Sequence, residues 1–146
     1  MAKPITIELT AILEVASNSK NWNFSVTGIW GKAVAHEKGR DRTSGYLFLF
    51  EHDGIVEGVS TTQGSVWSGT FSESCLKAEY VNEFKRKGAV EMTLSEDGAD
   101  LEGKFWAIDG LSSGGGVYTA HRSLDINREE VVAHLKKRLG SRVVIR

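Results

Sequence analysis

Apolar and polar residues alternate along much of this chain with the period of two that marks β-strands. The longest alternation puts Trp22, Phe24, Val26, Gly28 and Trp30 on one face and Asn23, Ser25 and Thr27 on the other, the pattern of a half-buried strand. Ile5, Ile7 and Leu9 alternate with Thr6, Glu8 and Thr10, which predicts a first strand over Ile5–Val15 and a turn at 17–21. Later runs predict strands at 45–51, 54–61, 65–72, 75–82, 88–95, 100–108 and 116–123.

Turn signals separate these runs. One unit occurs twice: an apolar run, Asp-Gly, a short apolar step, then Glu-Gly. It reads Asp53-Gly54…Glu57-Gly58 and again Asp97-Gly98…Glu102-Gly103. Asp-Gly tolerates the positive φ of a tight hairpin turn, so each copy predicts a β-hairpin. Gln63-Gly64 and Lys85–Gly88 mark further turns, and Leu111–Gly116 reads as a flexible link. The polar stretch His36–Ser44 reads as a loop at the mouth of the fold.

The period changes after Ser123. Asp125–Gly140 predicts a helix with Asn127 or Asp125 as N-cap, and Glu129 and Glu130 at its positive end. Lys136, Lys137 and Arg138 lie at its negative end, and Gly140 closes it. Val131, Leu135 and Leu139 form its apolar stripe, expected to pack outside the sheet. Val143–Ile145 predicts a short edge strand. The pattern as a whole predicts one domain over 1–146. Its class is all-β, an antiparallel up-and-down meander barrel of about eight to nine strands with one C-terminal α-helix.

Composition narrows the partners. The 18 basic and 19 acidic residues nearly balance, so neither nucleic acid nor a membrane is expected as a partner on net charge. Sixteen glycines against one proline suit sharply bent barrel strands. Cys75 is the only cysteine, which rules out an internal disulfide. No stretch approaches the ~18 apolar residues of a membrane-spanning helix. The N-terminus lacks an apolar signal region, so a bacterial style and a cytoplasmic location are expected.

Gly28-Ile29-Trp30 opens the strand series and Tyr118-Thr-Ala-His121-Arg122 closes it. On these residues the chain resembles the calycin superfamily of lipocalin-like and avidin-like barrels. The resemblance covers roughly residues 22–123. It implies that Gly28 and Trp30 are the Gly-x-Trp of the opening barrel strand. It implies that Arg122 is the arginine that packs over the tryptophan and closes one end. A guanidinium suits that role, because it stacks on indole and bonds free carbonyls. The helix and short strand that follow are similar to the lipocalin tail.

The apolar faces offer Trp22, Phe24, Trp30, Tyr46, Phe48, Phe50, Leu76, Tyr80, Met92, Leu94 and Phe105 as an aromatic-rich interior. Such an interior either packs solid or holds one small ligand. Tyr46, Trp67, Tyr80 and Tyr118 stand out as ligand-binding candidates, because each couples an aromatic body to a polar handle. His121 is the remaining candidate: either it or Arg122 must face inward by strand alternation. His36, His52, His121 and His134 show no metal-ligand spacing, no nucleophile motif is visible, and no cofactor is expected.

Four functions follow. The first is a non-enzymatic barrel for a small molecule. The second is a sensor of a cyclic-nucleotide second messenger, as resembling barrels in some bacterial antiviral effectors are, with Arg40, Arg42 and Arg122 meeting phosphates. The third is a small enzyme using His121 or Glu91. The fourth is a homo-oligomer joined through the edge strands near Ile5–Val15 and Val143–Ile145.

Overall fold

The computed structural model describes residues 5–16, 25–37, 40–43, 45–61, 64–108, 115–122 and 127–146. Trp22, Phe24, the turn at 17–21, the link at 111–114 and Asp125 lie outside the described residues. Eight strands form a closed antiparallel barrel: β2 (Gly28–Glu37), β4 (Tyr46–His52), β5 (Ile55–Ser60), β6 (Ser65–Ser72), β7 (Cys75–Val81), β8 (Lys87–Leu94), β9 (Asp100–Ala107) and β10 (Gly115–Arg122). Each pairs with its neighbour in sequence, and β10 closes the ring on β2 with Arg122 opposite Trp30. Closure leaves no open edge along the ring.

The repeated unit is scaffold. Asp53 and Gly54 take φ of +50° and +81°, the backbone of a tight hairpin turn. In the second copy Gly98 takes φ +74°. There the Asp97 carboxylate accepts bonds from the Ser95 hydroxyl and the Ala99 N–H, which hold its carboxyl below the usual carboxylate range. The Glu-Gly halves serve the barrel's curvature. A Cβ on Gly58 would collide with the Phe48 carbonyl oxygen, and one on Gly103 with the Glu91 carbonyl oxygen. Both glycines let two strand backbones approach where the sheet bends.

Three segments differ from the sequence expectation. Ile5–Val15 is not one strand: β1 ends at Ile7 and a helix, α1, spans Leu9–Ala16. The alternation stops at Leu9; from there Leu9, Ile12 and Leu13 recur at helical spacing, and Leu9 and Ile12 are fully buried. The expected loop 36–44 is largely a hairpin, with β3 (Arg40–Thr43) pairing Val34–Glu37 of β2. An antiparallel pair needs only backbone partners, so a polar composition does not forbid it. The strand read from Trp22 to Trp30 starts, among the described residues, only at Gly28 and runs on to Glu37.

The C-terminal helix α2 (Arg128–Leu139) starts where its signals predicted. Asn127 Oδ1 accepts the Glu130 N–H at 3.2 Å, and Val131, Leu135 and Leu139 are buried. A 3-10 turn leads to β11 (Val143–Ile145), which pairs in parallel with β1. The two segments expected as edges for another subunit therefore pair with each other. Together α1, α2, β1 and β11 cover the outside of the barrel over Ile29, Phe48 and Val59, forming a second apolar layer. Each fully buried aliphatic side chain there contributes roughly 1.5–3 kcal/mol. Among the described residues no helix is long and apolar enough to cross a membrane. Asn127→Ala should cost about 1 kcal/mol in urea unfolding followed by circular dichroism, with Asn127→Asp retaining most of the stability.

Candidate functional site

The two ends of the barrel differ. One end is closed by Arg122, which strand alternation on β10 turns inward together with Tyr118 and Ala120. Its guanidinium lies 4.4 Å from the centre of the Trp30 ring. Nε donates to the Gly98 carbonyl at 2.9 Å, and the two terminal nitrogens donate to Thr27 O at 2.6 Å and Ser25 O at 2.8 Å. Trp30 is fully buried and donates its Nε1–H to Val26 O at 3.0 Å. Gly28 makes room for the arginine, since a Cβ there would lie 2.7 Å from it. Burial pushes the guanidinium down to about 10, well above neutral pH, so it stays charged.

Gly28, Trp30 and Arg122 thus meet at one end of the barrel. The three carbonyl partners were not legible beforehand. They belong to residues just before β2 and to the β8–β9 turn, which only the closed ring brings together.

The other half of the interior gathers four aromatic rings. Trp67 stacks on Tyr80 at 5.8 Å between centroids and meets the edge of Tyr118 at 5.7 Å. Tyr118 in turn meets Phe105 edge-on at 6.4 Å. Trp67 Nε1–H donates to Ser65 Oγ at 3.0 Å. Tyr80 lies over Gly88, whose missing side chain is the space the ring occupies. Trp67, Phe105 and Tyr118 are buried, while Tyr80 is half-buried at the outer end of the group. Phe71, Met92 and aliphatic side chains fill the rest of the interior.

The remaining candidates lie elsewhere. Tyr46 and Phe48 sit 6.1 Å apart in the outer layer, and Tyr46 meets His134 of α2 edge-on at 5.8 Å. Phe50 also packs in that layer, so on β4 it is Leu47 and Leu49 that face inward. Tyr46 is thus not part of the interior group. His121 points outward, is exposed, and pairs with Asp100 on β9. The interior therefore holds no His121 to act as an acid or base. Trp106 also faces out and, with Lys77, Ala89 and Glu91, lines an outer groove of about 310 Å³. Ser65 joins the aromatic group without having been singled out, and Phe105, expected in the interior though not as a ligand-binding candidate, joins it too. The signal for Phe105 was its position two strands from Tyr80 on an apolar face.

Comparisons of this chain with protein-family models, with curated proteins and with solved structures find no match.

Proposed function

We propose that this chain is a calycin-like barrel that binds a small, flat or apolar ligand without transforming it, at the end of the interior opposite Arg122. The observation that supports this reading is the asymmetry of the barrel. At one end a cation is committed to three backbone carbonyls and an indole face. At the other, four aromatic rings converge, and the outermost, Tyr80, is only half-buried. Apolar walls with a few polar handles are what small-molecule sites offer. The engagement of Arg122 with the carbonyls weakens the phosphate-sensing alternative. The outward His121 weakens the catalytic one.

Titration with anilinonaphthalene sulfonate, a flat apolar dye, tests the reading. Saturable one-to-one binding is expected, with quenching of tryptophan emission that Trp67→Phe reduces. Tyr80→Ala should weaken the affinity about tenfold by removing the stacking ring. Binding that neither variant alters would defeat the proposal.

A further inference from the structure

The turn joining β7 to β8 carries an exposed aromatic ring within a run of cations: Asn82-Glu83-Phe84-Lys85-Arg86-Lys87. Asn82 shapes it. Its side-chain oxygen accepts the N–H groups of Phe84 at 2.9 Å and Arg86 at 3.0 Å, and Lys85 takes φ +61°. The result is a convex tip on which Phe84 is 66% exposed. A phenylalanine this open contributes little to the core, so packing does not explain it.

The fold adds a second set of charges. The C-terminal end of α2 reaches the same rim, where Arg138 donates to Thr61 O at 2.8 Å and Arg142 to Gly64 O at 3.2 Å. Both arginines also face Glu83, the one acid of the turn, at 3.1 and 4.0 Å. Arg138 and Arg142 thus share the Glu83 carboxylate, and Lys85, Arg86 and Lys87 follow it along the turn. Exposed Val81 and Ile108 flank Lys87 on the same edge, Val81 by strand pairing and Ile108 through its N–H to the Lys87 carbonyl. The near-zero net charge of the chain averages this patch away.

We propose that this rim docks on an anionic lipid bilayer, with Phe84 entering the interface and the surrounding cations meeting the headgroups. Interfacial binding needs both an apolar group to bury and cations beside it, and the rim supplies both. A second copy of the chain would bring like charges face to face. Single-stranded nucleic acid is better served by a groove lined with successive stacking rings than by a convex tip with one.

Flotation of the protein with vesicles of phosphatidylcholine and phosphatidylserine, against phosphatidylcholine alone, tests this. Binding is expected only with phosphatidylserine and should fall as salt is raised. Phe84→Ser should lower the partition about tenfold. Lys85→Gln should lower it about fivefold, consistent with the loss of one surface cation. Both positions are exposed, and unchanged thermal melts would show that the fold survives. The proposal is overturned by absence of vesicle binding, by equal binding to phosphatidylcholine alone, or by undiminished binding of Phe84→Ser. It is equally overturned if the only association that Phe84→Ser abolishes is dimerisation in sedimentation, or binding to single-stranded oligonucleotide.

Discussion

Arg122→Ala is expected to destabilise the protein by about 4 kcal/mol, the sum of orphaned buried acceptors and a lost cation–π contact. The guanidinium bonds the carbonyls of Ser25, Thr27 and Gly98 and covers Trp30. Truncation leaves those carbonyls facing a gap, and a buried acceptor without a partner costs more than a hydrogen bond normally contributes. Arg122→Lys should recover only a small part, because one ammonium cannot span three carbonyls and lacks the flat face that stacks on indole. Urea unfolding followed by tryptophan emission reads both variants. An alanine variant within about 1 kcal/mol of the parent would mean that the clasp is incidental.

Gly103→Ala should have an effect of similar size through a different route. A Cβ there meets the backbone of β8 itself, colliding with Glu91 O and lying 2.6 Å from Met92 Cα. Backbone cannot rotate away as a side-chain tip does, so β8 and β9 must separate. The cost is expected to reach about 3 kcal/mol, in the range of severe overpacking, with weakened near-ultraviolet circular dichroism from a loosened interior. A Gly103→Ala protein that melts with the parent would show that the strands carry slack at this point.

The two variants probe different parts of what could be read beforehand. Gly103 belongs to the repeated hairpin, whose Asp-Gly turns act over a few residues and so leave a local signature. The start of α2 at Asn127 and its buried stripe are local in the same sense. Arg122 was placed by resemblance, and its carbonyl partners come from chain segments far from it in sequence.

The clearest divergence is β4. Tyr46-Leu-Phe-Leu-Phe50 is apolar on both faces, and alternation cannot say which face turns inward. The aromatic face went outward because α1, α2, β1 and β11 cover it. A continuous apolar run beside a predicted amphipathic helix was the available sign of a strand buried on both sides. The His121–Arg122 choice is similar. Alternation required one of them inside, and only the carbonyls at the closed end decided that it is the arginine.

By itself, then, the sequence determined the strands from β4 to β10, the Asp-Gly turns, the curvature-permitting glycines and the start of α2, because each depends on backbone preferences within a short window. Tertiary structure decided which face of each strand is inside and that β1 pairs with β11. It also decided that Glu83 meets Arg138 and Arg142, and that Trp67, Tyr80, Phe105 and Tyr118 form one group. Those outcomes depend on closing the ring and covering it, which couples residues across the whole chain and leaves no mark in any one stretch of it.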